Sequence, residues 1–327
     1  MQDGIATGAI YLLLAIGLLI VFSVTRVIFV PQGDLLAFGA LTAASLQAGG
    51  IPGTLWLLDG VAALALVTSL HREPLRAALT WGVYPIVLTL ATLLLAHFRL
   101  PALSILLALA IVTPMGPLIW RFAFRPVADA SVLALLIIAM ALHFVLAGLG
   151  LVFFGPEEAS APAITGASFE LGPLNVSGQS LCVLVCCAVL VAGLRWFFGA
   201  TIHGKALRAT ASDRLGARLV GIDAGTTGAL AFALASFIAA LAGVLIGAVT
   251  PLSYDAGFDI GLKGFVAAIM GGLASYPLAA AGAIVIGVLE SLGSFWASAY
   301  RDVIVFTLLI PVLVWLSLRA GSGEERA

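Results

Sequence analysis

The sequence predicts an all-α membrane protein, a polytopic bundle of transmembrane helices. Of its 327 residues, 62% are hydrophobic and only 9% are charged, and the mean hydropathy is +1.18. Soluble domains average nearer a quarter charged residues, so this chain has too few to cover a surface that faces water. Several stretches offer roughly 17 to 25 mostly apolar residues, the length that a helix needs to cross a bilayer. We therefore expect a single transmembrane domain over residues 1–327.

The apolar runs predict about ten or eleven membrane segments, one of them a short or half helix. The predicted helices are 5–24, 34–49, 55–70, 77–97, 101–120, 130–154, 180–198, 225–249, the short 263–273, 278–297 and 303–318. The N-terminal "MQDG" lacks the basic region of a signal peptide, so 5–24 is expected to remain as a membrane helix.

The distribution of Lys and Arg predicts the orientation, because short basic loops favour the cytoplasm. With the N-terminus outside and the C-terminus cytoplasmic, 12 of the 15 basic residues fall on the cytoplasmic side. The three exceptions are Arg99, Lys263 and Arg301. This orientation makes 155–180 an external loop and requires the short 263–273 segment to cross, or nearly cross, the membrane.

One polar stretch concentrates charge between two apolar runs: "GKALRATASDRLGARLVGID" at 204–223. Its apolar residues recur at helical spacing, which predicts an amphipathic helix lying at the membrane surface. They are Leu207, Ala211, Leu215, Leu219 and Ile222. Such a ridge suits docking into a groove of another protein. A solvated loop that satisfies the positive-inside rule is the alternative.

Catalytic and metal-binding patterns are not found in the sequence. "GATIHGKA" at 199–206 matches seven of the eight positions of a phosphate-binding loop, but Ala206 replaces the hydroxyl residue that would hold Mg²⁺ and an apolar helix precedes it. Cys182, Cys186 and Cys187 lie in one apolar helix without neighbouring His and are interpreted as packing residues. We expect no catalytic residues, no metal site, no cofactor and no nucleic-acid partner.

Several stretches together carry a family pattern. They are the opening "GIATGAIYLLLAIGLLIVFSVTRVIFVPQGDLLAFGA", the mid-chain "RFAFRPVADAS", and the C-terminal "GLKGFVAAIMGGLASYPLAAAGAIVIGVLESL" and "YRDVIVF". In the charged stretch a G-[KR]-A-x-R-A pattern is followed by Asp and then "GI", at Gly204, Lys205, Ala206, Arg208, Ala209, Asp213, Gly221 and Ile222. These residues resemble the permeases in the branched-chain amino acid branch of ABC importers.

The resemblance implies that 199–224 is a cytoplasmic coupling loop whose helix inserts into a separate ATPase. The residues assigned to coupling are Gly204, Lys205, Leu207, Arg208, Ala211, Asp213, Leu215 and Gly221. The implied partners are a second, related permease subunit, two cytoplasmic ATPase subunits that bind ATP and Mg²⁺, and a periplasmic binding protein, in the bacterial inner membrane with its lipid. A heterodimer of permeases is favoured over a homodimer.

The substrate implied by the resemblance is a branched-chain or related amino acid, with urea, amides or small organic acids as runners-up. The sequence departs from the family where an Asn and a His are usual, because Phe29 and Gln32 stand there, and Asp34 replaces a Glu. Residues 55–97 have no counterpart and are interpreted as an inserted helix pair. A stand-alone secondary transporter driven by an ion gradient is the alternative function, although such proteins usually carry more ionisable groups in the membrane.

Polar residues inside the predicted helices are candidates for the substrate pathway, because such groups are costly in a bilayer and often functional. We assign Gln32, Asp34, Lys263 and Glu290 to the pathway, with helix repair at a loop as an equal alternative for Gln32 and Asp34. Asp59 is expected to be solvated or to start a helix, and His143 to be a hydrogen-bonded packing residue.

Overall fold

The computed structural model describes residues 2–69, 78–95, 98, 100–161, 168–171 and 174–296, and four single positions at 303, 307, 311 and 314. The helices of the first half are α1 Gln2–Thr25, α2 Gln32–Ala48, α3 Gly53–Ser69, α4 Tyr84–Leu95, α5 Pro101–Val112, α6 Met115–Ile119 and α7 Val132–Phe154. A π-helical turn, Ala78–Val83, leads into α4. A second, Trp120–Phe124, continues α6 into the 3-10 turn Arg125–Val127.

The second half begins with a short hairpin and is otherwise helical where it is described. Strands β1 Ser168–Leu171 and β2 Leu174–Ser177 pair antiparallel, with Ser168 opposite Ser177. The helices that follow are α8 Gly178–Ala200, α9 Ile202–Ser212, α10 Arg214–Leu219, α11 Ala224–Gly247, α12 Ala256–Met270 and α13 Tyr276–Trp296.

The predicted polytopic helical fold is confirmed. Among the described residues, seven helices are long and apolar enough to span a membrane, or eight if α2 and α3, bent by 119° relative to each other, form one span. The hairpin lies within the loop 155–180 and was not predicted. The predicted helix 303–318 lies outside the described residues except at its four single positions, and the orientation of the termini stays a prediction.

One predicted boundary is wrong: the short segment 263–273 is in fact α12, a 15-residue helix that begins at Ala256. Its first two turns contain Gly257 and Gly261. These glycines lie against α2, where a Cβ atom at Gly257 would overlap the carbonyl oxygen of Gly33. Glycine is unfavourable in an isolated helix, but here it permits a close helix contact that larger residues would prevent.

Helix α1 lies at the centre of the bundle because it is apolar on every face. Its apolar window is 78% buried, whereas that of α8, at the periphery, is 11% buried. A helix that is hydrophobic all round belongs in a core or a membrane, and α1 satisfies both conditions by packing against α8, α11, α12 and α13. Helix α2 packs beside it, against α5, α11 and α12.

Close contacts between small residues hold α2 against α11. A Cβ atom at Gly243 would overlap the carbonyl oxygen of Leu36, and one at Gly39 would lie 2.6 Å from the Cα atom of Ala240. Because lipid provides little hydrophobic driving force between helices, close van der Waals packing of this kind is a main source of their association.

We expect Gly243→Ala to lower the free energy of unfolding by about 1–3 kcal/mol, the usual effect of overpacking a filled contact. Gly148→Ala in α7 is the matched control, because nothing lies within 4 Å of a Cβ atom there. The control should be neutral or stabilise by up to about 1 kcal/mol through helix propensity. Thermal unfolding of both variants in detergent measures the difference, and equal stabilities would contradict the proposed contact.

Candidate functional site

A buried ion pair joins α12 to α13. Lys263 Nζ donates to Glu290 Oε1 at 2.6 Å, and both side chains are buried. The hydroxyl of Tyr11, in α1, donates to the other oxygen, Glu290 Oε2. Lys263 Nζ also lies 5.9 Å from the centre of the Tyr11 ring. Both oxygens of the carboxylate are therefore partnered, and the three groups tie α1, α12 and α13 together.

A second buried pair joins α2 to α7. His143 Nδ1 lies 2.9 Å from Asp34 Oδ1 and 3.0 Å from Oδ2, so the imidazole donates this nitrogen's proton to the carboxylate. The His143 ring stacks on Phe258 of α12, with ring centres 4.3 Å apart and planes 23° from parallel. The interpretation of His143 as a hydrogen-bonded packing residue is confirmed in its hydrogen bond, whose acceptor is Asp34, one of the candidate pathway residues.

Gln32 carries an oxygen without a partner. Its Nε2 donates to the carbonyl oxygen of Leu14 at 3.0 Å, whereas its Oε1 is buried and has no hydrogen-bond partner among the described residues. The side chain borders a cavity of roughly 30 Å³ whose other walls include Phe29, Phe258 and Gly261. A buried acceptor without a hydrogen bond destabilises the folded protein, so the presence of this oxygen at Gln32 calls for an explanation.

Helix α12 contacts both buried pairs and the cavity beside Gln32. It carries Lys263, which binds Glu290, and Phe258, which stacks on the partner of Asp34 and borders the cavity beside Gln32. Sequence reasoning missed Tyr11 and the pairing of Asp34 with His143. The sequence did contain a signal for the pairing of Asp34 with His143. Ionisable groups in membrane helices pair with one another, and the predicted helices contain few such groups.

The interpretation of Asp59 as a helix-start or solvated residue is wrong. Asp59 lies in the second turn of α3, and its Oδ2 accepts a hydrogen bond of 2.9 Å from Thr89 in α4. Its Oδ1 is buried. The two helices of the predicted insertion at 55–97 therefore contact each other through a polar bond, while residues 70–77, which join them, lie outside the described part of the chain.

The charged stretch forms two short helices rather than the single helix predicted. We call residues 201–223 the two-helix segment. The Thr201 hydroxyl accepts from the backbone N–H of Gly204 at 3.0 Å and caps α9. A Cβ atom at Gly204 would overlap the carbonyl oxygen of Phe197, so glycine allows α9 to turn back tightly against the end of α8. A helix precedes Gly199, so the phosphate-loop pattern has no structural counterpart here.

The break falls at Asp213, whose extended backbone ends α9 and whose Oδ1 accepts from the N–H of Leu215 at 2.9 Å to start α10. Gly221, at φ 87°, ends α10. Asp223 then caps α11, accepting from the N–H groups of Gly225 and Thr226. The hydrogen bond from the Thr226 hydroxyl, helped by those two N–H groups, holds the pKa of Asp223 below its usual value.

The break divides the predicted ridge between two environments. Leu207 is fully buried inside this chain and Ala211 is half-buried, so the prediction of one ridge that enters a partner is wrong for Leu207. Leu215, Leu219 and Val220 are 69%, 81% and 75% exposed. Because the Asp213 cap restarts the helix in a new direction, α9 packs on the membrane helices while α10 presents its apolar side chains outward. Lys205 and Arg208 are exposed on α9.

A polar cleft of roughly 430 Å³ lies beside α10. It is bordered by Arg125, Arg214, Arg218 and Asp223, together with Asp129 of the mid-chain "RFAFRPVADAS" stretch. Arg218 Nη2 and Asp129 Oδ1 lie 4.0 Å apart, both exposed. The Trp120 indole donates to the carbonyl oxygen of Gly225 at 2.9 Å and holds this stretch against the start of α11. No pattern in the sequence indicates that these two stretches meet.

Metal ligands do not gather in the described part of the chain, where no group of three His, Cys, Asp or Glu side chains could hold an ion. All three cysteines are free, and the Sγ atoms of Cys182 and Cys186 lie 4.0 Å apart in α8.

The structure has the features of a multi-pass transport protein. Its membrane helices form a bundle with paired charges inside, and a structured polar segment connects α8 to α11. The family model for the branched-chain amino acid transport system permease component matches residues 1–313, and the chain belongs to this family. It is a permease subunit of an ABC importer, located in the inner membrane, and not an enzyme. This membership excludes the stand-alone secondary transporter considered from the sequence.

The chain is similar to individual permeases over nearly its whole length. It is 28% identical to the high-affinity branched-chain amino acid transport system permease protein BraD of Pseudomonas aeruginosa, over 96% of this chain and 92% of that protein. LivH of Salmonella typhimurium, a permease protein of the same description, shows the same identity and coverage. The autoinducer 2 import system permease protein LsrC of Escherichia coli is 28% identical over 50% of this chain and 43% of its own length.

We expect Lys263→Ala to lower the free energy of unfolding by about 3–5 kcal/mol, because it leaves the buried Glu290 carboxylate without its counter-charge. The double variant Lys263→Met/Glu290→Gln removes both charges and keeps an acceptor for Tyr11, so it should recover most of the loss. Thermal unfolding in detergent compares the two. A double variant no more stable than Lys263→Ala would contradict the charge pairing.

Proposed function

We propose that this subunit moves a small solute across the inner membrane when ATPase subunits drive it through the two-helix segment. The observation that carries the proposal is the outward apolar face of α10. Leu215 and Leu219 of this six-residue helix, and Val220 directly after it, are exposed beside a cleft that holds three arginines. Exposed apolar side chains rimmed by charge are typical of a docking surface.

The division of the segment supports a mechanical role. Helix α9 packs against α1 and α11, and α10 against α11. Thr201, Asp213 and Asp223 cap α9, α10 and α11 in turn, so the segment is held at both ends and at its middle. A displacement of α10 by a partner would therefore be passed to the membrane helices rather than absorbed by a flexible loop. In this proposal Gly204, Asp213 and Gly221 shape the segment, Leu215 and Leu219 contact the ATPase, and Lys205, Arg208 and Ala211 support the contact.

The proposed assembly contains a second, related permease subunit, two cytoplasmic ATPase subunits and a periplasmic binding protein. ATP and Mg²⁺ bind the ATPase subunits, and this chain binds no cofactor. Because one chain contributes one α10 surface, two permease subunits are needed to engage two ATPases. In this arrangement the N-terminus is outside, the C-terminus is cytoplasmic, and residues 1–327 act as one domain carrying the inserted pair at 55–97.

The proposed substrate is a branched-chain or related amino acid, the solute named in the descriptions of the family and of BraD and LivH. We place the pathway beside α12, which carries Lys263, contacts Glu290 and the His143 partner of Asp34, and borders the cavity beside Gln32. Three of these form buried pairs, so the buried Gln32 oxygen is the acceptor best placed to meet a substrate N–H group. Phe29 fills the neighbouring space by packing on Phe232, with ring centres 4.6 Å apart.

Leu219→Glu is expected to weaken association with the ATPase subunits at least tenfold, because it removes an exposed apolar contact and adds an unpaired charge at the interface. The membrane domain should stay folded, since the Leu219 side chain is 81% exposed. Co-purification of the assembly followed by native mass spectrometry measures the loss and counts the permease copies. Val249→Glu, an exposed apolar position at the opposite end of α11, is the control.

Normal ATPase binding and uptake by Leu219→Glu would show that the segment is only a solvated basic loop. Equal loss in Val249→Glu would show that the added charge acts on the membrane domain as a whole. Either result would contradict docking at α10.

Gln32→Met separates a pathway role from a structural one. Removing a half-satisfied polar group should leave the free energy of unfolding unchanged or raise it by about 1 kcal/mol. Loss of a hydrogen bond to a charged substrate group should lower leucine uptake by the reconstituted importer about tenfold to a hundredfold. Gln47→Met, on the same helix, should lose stability but not uptake per folded molecule, because its Oε1 already accepts from Ser104. Unchanged uptake by Gln32→Met would remove Gln32 from the pathway.

A further inference from the structure

A large groove opens between α1, α8, α9 and α13, apart from the cavity beside Gln32 and from the cleft beside α10. Its volume is roughly 720 Å³, within the range of about 300–1,000 Å³ that is usual for small-molecule sites. Its walls are mainly apolar, with Leu12, Ile16, Ile20, Val191, Leu194 and Phe198 among them. From Leu12 to Val24 it follows α1 for about 18 Å, the length of twelve helical steps.

The charge of the groove is confined to one end. Arg195, near the end of α8, and Arg208, on α9, border it there with the side chains of Ser23 and Tyr276. Both arginines are exposed, and neither forms an ion pair with a carboxylate in the described part of the chain. The neighbouring Trp196 is 68% exposed, as expected for an aromatic residue at the membrane interface.

We propose that this groove binds an anionic phospholipid. The apolar walls take an acyl chain at membrane depth, and the Arg195 and Arg208 guanidinium groups hold the phosphate at the surface. Arginine is suited to this contact because its planar fork of donors matches phosphate oxygens. Basic pockets between membrane helices at the interface bind anionic headgroups for the same reason.

The bound lipid joins α8 to α9. Arg195 belongs to a membrane helix and Arg208 to the two-helix segment, so one phosphate between them fastens the segment to the bundle. Leu207, which is fully buried, and Ala211, which is half-buried, form the α9 wall of the groove, and the acyl chain lies against this wall. Charge complementarity selects lipid over other occupants, because two cations that border the same end of an apolar groove match an anionic headgroup with an acyl chain attached.

The test uses the full chain in nanodiscs of phosphatidylethanolamine and phosphatidylglycerol, with bound lipid measured by native mass spectrometry. We expect preferential retention of phosphatidylglycerol, reduced about fivefold by each of Arg195→Gln and Arg208→Gln. Arg218→Gln removes the same charge from α10, outside the groove, and should retain the lipid. Ala280→Trp fills the groove without changing charge and should also release the lipid, whereas Leu278→Trp, exposed on the same helix outside the groove, should not.

A photoreactive residue at position 280 identifies the occupant directly. A crosslink to phospholipid is the expected result. Crosslinks to residues after 296 of this chain, or to a second permease subunit in the assembled importer, would overturn the proposal. Equal retention of the two lipids, or retention unchanged by both arginine variants and by Ala280→Trp, would overturn it as well.

Discussion

The structure depends on one constraint: a charged side chain inside a membrane helix needs a partner, and that partner lies on another helix because the bilayer core offers no water. Helix α12 meets this constraint for its neighbours. Lys263 pairs with Glu290, which also accepts from Tyr11, and Phe258 stacks on the histidine that holds Asp34. These contacts fix α12 against α1, α2, α7 and α13. A buried charge left alone would destabilise the fold strongly, so each pair also specifies which helices must meet.

Small residues make these polar contacts possible. The short Lys263–Glu290 distance requires α12 to lie close to α13. The stacking of Phe258 on His143, which binds Asp34 of α2, requires α12 to lie close to α7 and its contact with α2. Gly33 and Gly257 allow that approach on the α2 side, and Gly282 on the α13 side packs directly on Met270. In a bilayer, close packing and hydrogen bonds replace the hydrophobic effect as the forces between helices. At these contacts, glycine therefore allows the helices to approach closely enough for the polar groups to pair.

In the two-helix segment, the direction of the chain is set by side-chain caps. Three side-chain caps, at Thr201, Asp213 and Asp223, start α9, α10 and α11 in succession. Because the middle cap changes the direction of the chain, the apolar residues before it face the bundle and those after it face outward. One short stretch thus provides both an inner contact and an outer surface, and the arginines of α9 and α10 fall beside different clefts.

The sequence by itself determined the class of fold, because composition and the length of apolar runs report directly on the solvent of each residue. It also determined the family, since motifs such as those around Gly204 and Asp213 are local. Partners distant along the chain could not be read in this way: Tyr11 meets Glu290 across 279 positions, and Asp34 meets His143 across 109. The early start of α12 was also decided by tertiary structure, because packing against α2 overrides the low helix propensity of Gly257 and Gly261. Tertiary packing likewise decided which side of α9 faces the bundle, because that side buries Leu207.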